Sequence, residues 1–214
     1  MRFGKTISNK FDCFALNFRY FCKVLLRTMR DLLSVLRFLV SPASSWAVAR
    51  RSTRPVAEQE RGWFYPLLAV VAASAFVQMA YGASLTASLV RAVALFSALF
   101  GGSLLCPVLI SLSLQRLKTD GDRPVAEWEL KLFSMYNLSV LALVAIIQNL
   151  LPVELLPLYI LPVYLLFVVS KCAPFFGISN EEKRMLFVFG TFLIIILVPL
   201  VILLILWQFM PQEI

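Results

Sequence analysis

The stretch MLFVFGTFLIIILVPLVILLILWQFM, residues 185–210, runs for 26 residues without a charged side chain. An α-helix rises about 1.5 Å per residue, and about 20 apolar residues cross the hydrocarbon core of a bilayer. This run therefore reads as a membrane span. Working back toward the N-terminus, four further apolar runs occupy residues 63–81, 91–114, 133–151 and 155–170. Three have the length to span, and the run at 155–170 is short. The predicted fold class is an all-α integral membrane protein, a bundle of about five transmembrane helices preceded by an amphipathic interfacial helix. Composition points the same way. The 214-residue chain is 60% hydrophobic and 15% charged, with a mean hydropathy of +0.84. An ordinary soluble domain is nearer half apolar and carries about a quarter charged residues.

Charge placement orients the spans. Nineteen of the 20 Lys and Arg residues fall before the first run, between the second and third, or between the fourth and fifth. Arg91 alone lies on the other side. By the positive-inside rule the N-terminus is cytoplasmic and the C-terminus outside. The third and fourth runs leave two readings open, because only Pro152, Val153 and Glu154 join them. They form two spans, or a hairpin that enters and returns. Gln148 and Asn149 near the tip, with Pro152, Pro157 and Pro162, suit a shielded irregular backbone. Length favours two spans.

Three units follow. Residues 1–22 form a basic extension without a long apolar run, 23–60 a cytoplasmic amphipathic region, and 61–214 the spanning domain. From Lys23 to Val40, Lys23, Arg27, Arg30, Ser34 and Arg37 fall on one helical face. Leu25, Met29, Leu32, Leu33, Leu36 and Leu39 fall on the other. Such a helix lies at a bilayer surface, or else packs on a partner domain. It should stop at Ser41-Pro42. Ser41 or Ser44 then caps a short second helix carrying Trp46, an interfacial anchor. The expected membrane-surface contacts are Lys23, Arg27, Arg30, Arg37 and Trp46, facing an anionic inner leaflet.

Histidine is absent, which removes the commonest general base and metal ligand. The cysteines (Cys13, Cys22, Cys106, Cys172) are scattered and read as free, inert thiols. The spans hold no acidic pair, proton relay or metal cluster, and no phosphate loop or nucleophile elbow occurs. Glu127, Glu129 and Lys131 read as a solvated helix face, and Asp120-Gly121-Asp122 as a turn. No catalytic, cofactor-binding or metal-ligating residue is predicted. The net charge of +8 is distributed as membrane-flanking charge rather than as a nucleic-acid surface.

Within the spans, Ala94, Ala98 and Gly102, with Gly101 beside them, form a small-residue stripe for close helix packing. Pro199 removes a hydrogen bond to the Ile195 carbonyl and bends the fifth helix. Ser179 and Glu182 have the spacing of a capping box opening that helix. Gln148, Asn149 and Glu154 mark a possible polar path at the 148–154 hairpin.

The order of these elements over about residues 30–210 resembles the Yip-type family of five-span membrane proteins, particularly its bacterial branch. The resemblance rests on Ser41-Pro42 with Trp46, Phe64-Tyr65-Pro66-Leu67 at the first span, and Phe100-Gly101-Gly102 in the second. Tyr136, Pro152, Tyr164 and the segment Ile178 to Arg184 before a proline-containing last span extend it. Residues 1–28 lie outside it. The resemblance implies a bacterial cytoplasmic membrane protein without catalytic motif, and for eukaryotic relatives a trafficking role through contacts with Rab GTPases or membrane proteins. The expected function is a non-enzymatic scaffold or adaptor with membrane or cytoplasmic protein partners. The alternative is a transporter subunit or small permease.

Overall fold

The computed structural model describes residues 35–52, 54–117, 124–151, 156–178 and 180–208, and for 156–162 the backbone alone. Every described element is helical. Residues 35–40 are the described part of α1. They are followed by α2 (Pro42–Arg50), α3 (Val56–Gln59), a π turn (Glu60–Phe64), α4 (Tyr65–Ser74) and a 3-10 segment (Ala75–Tyr81). Then come α5 (Leu85–Leu117), α6 (Glu127–Leu150), α7 (Leu156–Cys172), a 3-10 turn (Ala173–Phe176) and α8 (Glu181–Gln208). From α3 to the first 3-10 segment the chain forms one helical rod, Val56–Tyr81. That rod, α5, α6 and α8 make four helices long and apolar enough to cross a membrane. At 17 residues α7 is shorter.

The helices outrun the apolar runs that announced them. α5 begins at Leu85 rather than 91, and α6 at Glu127 rather than 133. Hydropathy marks the depth of lipid, whereas a helix continues through polar residues that favour its geometry.

Local chemistry sets the boundaries. Pro42 is the first residue of α2, where its missing N–H is no loss. The Ser41 side chain makes no cap bond, and the Ser44 hydroxyl instead donates to the Ser41 carbonyl at 3.2 Å. The cap of α8 is Asn180, whose Oδ1 accepts from the Glu182 and Lys183 N–H groups at 2.8 and 3.4 Å. Ser179, expected in that role, lies outside the described residues. Pro66 offers no N–H to the turn before it, and that turn is widened, with the Tyr65 N–H bonding the Glu60 carbonyl. The rod ends at Gly82, whose φ of 95° is left-handed. Its N–H bonds Met79, and the Ala83 N–H reaches Gln78.

α6 is the centre of the bundle. Leu132 to Val140 are buried without interruption, so this part of the helix is enclosed on every side. The rod, α5 and α7 pack on it, and α8 packs chiefly on α5. Of the most apolar window of each helix, 72% is buried in α6 and only 22% in α8. The outward face of α8, including Phe189, Leu193, Leu197 and Leu204, is apolar and suited to lipid. Where α5 meets α8, Ala94, Ala98 and Gly102 are all buried. A Cβ on Gly102 would stand 3.1 Å from Pro199 Cγ and 3.3 Å from Leu138 Cδ2, so helices α8 and α6 both press on this point. The Cys106 thiol donates to the Ile194 carbonyl across the same interface at 3.8 Å. Cys106 and Cys172 are buried free thiols.

Candidate functional site

Two polar constructions stand out, one at each end of the bundle. The first surrounds α1 and α2. Val35, Phe38 and Trp46 have no exposed surface. The Trp46 ring lies 5.3 Å from Phe133 of α6, edge-on, and 5.9 Å from Phe176, stacked. Phe176 in turn meets Phe133 and Phe187 at 4.9 and 5.2 Å. Phe38 packs on Tyr136 at 4.9 Å, and Tyr136 on Trp63 at 5.1 Å. The Tyr164 hydroxyl of α7 donates to the Leu39 carbonyl. Rings of this area are the strongest apolar anchors a chain possesses.

The reading of Trp46 as a bilayer-surface contact is therefore corrected. Trp46 is a core residue, and the last turn of α1 docks on the bundle through Val35 and Phe38 while Leu36 stays 48% exposed. An amphipathic pattern shows only that one face must be covered. Around Trp46 protein aromatics cover it. Arg37 is exposed. Lys23, Arg27 and Arg30 lie outside the described residues.

Two ion pairs fasten the same end. The Arg50 guanidinium reaches Glu129 at 3.2 Å and lies 5.9 Å from the centre of the Phe175 ring. Lys131 reaches Glu60 at 2.7 Å. Glu129 and Glu60 are both buried. The expected solvated face of α6 is thus split. Glu127 is exposed, whereas Glu129 and Lys131 are committed to α2 and to the rod. Glu60 was not singled out from sequence, although an acid entering a span amid many arginines is itself a signal.

Between α1, α2 and the start of the rod lies a recess of about 430 Å³, lined by Arg37, Ser44, Ser45, Ser52, Arg54, Gln59, Trp63 and Tyr136 among others. The Arg54 N–H bonds the Ser52 hydroxyl at 3.3 Å, and the Gln59 amide bonds the Arg54 carbonyl at 3.2 Å, which shapes the wall. The Ser45 hydroxyl and the Trp63 indole N–H are buried and have no hydrogen-bond partner among the described residues.

The second construction is at the far end of α6. A helix leaves its last four carbonyls without intrahelical donors, and at membrane depth these must be met by protein. Gln78 donates to the Asn149 carbonyl at 2.8 Å and the Gln148 carbonyl at 3.5 Å, and Tyr81 donates to the Leu150 carbonyl at 2.9 Å. The 3-10 geometry makes this possible. With three residues per turn, positions 78 and 81 stack on one face. The Asn149 amide donates to the Ser74 hydroxyl at 2.9 Å, and that hydroxyl donates to Val71 at 2.7 Å. Of the residues expected to mark a polar path, Asn149 is buried in this cap and Gln148 gives its carbonyl to it. Glu154 lies outside the described residues. Ser74 and Tyr81 were not foreseen.

Three other span side chains bond back along their own helices, whereas the buried hydroxyls of Ser88, Ser134 and Thr191 have no partner among the described residues. Asn137 donates to Phe133 at 2.8 Å, Ser139 to Tyr136 at 2.6 Å and Ser103 to Phe100 at 2.7 Å. Among the described residues no group of three or more metal-ligating side chains converges. The chain has no match among protein-family models, curated proteins or solved structures.

Proposed function

We propose that this chain is a Yip-like, non-enzymatic scaffold or adaptor of a bacterial cytoplasmic membrane, crossing it five times with the N-terminus inside. The observation that carries the reading is the docked headpiece. α2 is locked by Trp46 and Arg50, and the end of α1 by Phe38, onto α6, which has the most buried apolar stretch of the spanning helices. A segment held this firmly presents its outer face in one fixed arrangement, with Arg37, Arg51 and Arg54 exposed and Val48 72% exposed. A fixed, basic, partly apolar surface suits the capture of cytoplasmic partners beside an anionic leaflet. α7 supports a fifth span through modest local thinning, since 17 helical residues reach about 25 Å.

The test combines topology with crosslinking. Single cysteines replace Ser84, Glu127, Leu151 and Asn180 in a chain whose four native cysteines are substituted. An impermeant thiol reagent applied to intact cells should label positions 84 and 151 and leave 127 and 180 untouched. If 84 reacts and 151 stays protected, α6 and α7 form a re-entrant hairpin, and the transport reading with a path near 148–154 takes precedence. A photocrosslinker at Val48 should then trap a defined protein partner in cells. Lipid or nucleotide turnover by the purified chain, abolished by a point substitution, would refute the non-enzymatic role.

A further inference from the structure

We propose that the junction of α1 and α2 is a membrane wedge, inserted among the acyl chains of the one leaflet that meets the charged end of α6. Its level in the bundle follows from its contacts. Arg50 meets Glu129 at 3.2 Å, Trp46 meets Phe133 at 5.3 Å, and Phe38 meets Tyr136 at 4.9 Å. Passing back from Arg50 to Phe38, the chain therefore moves steadily along α6, away from its charged start. From Lys131, the last charged residue of α6, to Tyr136 the helix axis advances about 7.5 Å. α7 gives an independent measure. Phe176, just past its end, meets Phe133 at 4.9 Å, so the charged ends of the two helices share a level. The Tyr164 hydroxyl donates to the Leu39 carbonyl, and from Lys171 back to Tyr164 the α7 axis advances about 10 Å. Both helices place Phe38 and Leu39 beyond the level at which the charges of the spans stop, on the lipid side.

What the junction shows to its surroundings suits that level. Val40 is 83% exposed and Leu36 48%, although Phe38 between them has no exposed surface. An exposed valine held at this level among spans meets hydrocarbon, as do Phe189 and Leu193 on the outward face of α8. Backbone at lipid depth must have its polar groups met by protein. Here the Ser41 N–H donates to the Arg37 carbonyl at 2.8 Å, and Pro42 has no N–H to satisfy. The Ser41 carbonyl accepts from the Ser45 N–H at 3.1 Å and the Ser44 hydroxyl at 3.2 Å, and Tyr164 serves the Leu39 carbonyl. The exposed Arg37 has a stem long enough to carry its charge back to the head groups. Spanning helices add area to both leaflets, whereas the junction adds it to one. The chain should therefore favour membrane curved so that this leaflet is expanded, as packing-sensitive inserted segments do. The inference requires that the bundle crosses a membrane, but neither the scaffold role nor a particular side for the N-terminus.

The experiment uses the full chain with its four native cysteines replaced, carrying one nitroxide label and reconstituted in phosphatidylcholine–phosphatidylglycerol vesicles. Collisions of the label with oxygen, which concentrates in hydrocarbon, are compared with those of a water-soluble nickel chelate present on both sides of the membrane. Labels on Leu193→Cys and Arg51→Cys calibrate the lipid and water limits. The label on Val40→Cys should show an oxygen-to-nickel collision ratio several-fold above that at position 51 and close to that at position 193. A ratio equal to that at position 51 would overturn the wedge. Rare collisions with both reagents would overturn it too, because protein would then cover Val40. The curvature preference is read from orientation. The share of chains whose position 51 label is reduced by external ascorbate should rise as vesicle diameter falls, and Leu36→Ser with Val40→Ser should flatten that rise. A share independent of diameter in the chain with Leu36 and Val40 intact would refute the preference.

Discussion

Replacing Gly102 by leucine tests how closely α5, α6 and α8 are fitted. Even the first added atom, Cβ, would lie 3.1 Å from Pro199 Cγ and 3.3 Å from Leu138 Cδ2. Carbon atoms rest at about 3.5–4.0 Å, and the proline ring has no rotamer by which to retreat. Alanine therefore requires a shift of a few tenths of an ångström. Leucine adds three more carbons to a site with no room for the first. Overpacking costs about 1–3 kcal/mol, and we expect the upper end for leucine and about 1 kcal/mol for alanine. An opposing term exists, since alanine favours a helix over glycine by up to about 1 kcal/mol. For alanine the two nearly cancel, so leucine is the decisive substitution. Gly101 and Gly190 are the controls. A Cβ on Gly101 meets only the flexible tip of Ile202, at 2.8 Å, and one on Gly190 meets nothing within 4 Å. Unfolding by sodium dodecyl sulfate in mixed micelles, followed by tryptophan fluorescence, reads the stability. If Gly102→Leu unfolds at the wild-type detergent fraction, or Gly190→Leu loses as much, the fitted interface is an error.

The same assay tests four further features. Glu129→Ala strands Arg50 in the headpiece and should cost about 3–5 kcal/mol, as for other buried pairs broken on one side. Glu181→Ala, which removes the exposed partner of Arg184, should change nothing measurable. Trp46→Ala should cost about 3–5 kcal/mol through the cavity it leaves. It should also make the Arg50–Arg51 bond accessible to trypsin, and resistance there would contradict the docked headpiece. Gln78→Leu should cost about 0.6–2 kcal/mol by stranding two α6 carbonyls, with Tyr81→Phe smaller because Leu150 is half exposed and water can substitute. An unchanged midpoint for Gln78→Leu would show that water already satisfies the whole end of α6.

What was legible in the sequence was what depends on neighbours along the chain. The run 185–210 declared α8, and the small residues around Gly102 declared a close approach. What was not legible depends on residues brought together from afar. Trp46 beside a basic helix looks the same whether lipid or protein covers it, and Phe133 and Phe176 decide the matter from distant helices. Glu129 reads as solvated until Arg50, 79 positions away, is placed against it. Gln78 and the Asn149 carbonyl are 71 positions apart, and only the tightened 3-10 turn aims one at the other. The α8 cap shows a smaller version of this effect. The spacing to Glu182 pointed to Ser179, and the Oδ1 of the adjacent Asn180 accepts from the N–H groups of Glu182 and Lys183.

The enclosure of α6 has a consequence for how the protein is made. Ser134, Asn137, Ser139 and Asn149 are all fully buried on it, and Glu129 is nearly so. As this helix leaves the ribosome it meets lipid before its later neighbours exist, and its polar atoms have little to gain there. The rod and α5 precede it in the chain and already carry part of its complementary surface. α6 should therefore be retained beside them during synthesis rather than released alone into the bilayer. Truncation just after α6 should remove the cover that α7 gives this helix and speed its loss to membrane proteases, which a pulse-chase of the truncated chain checks.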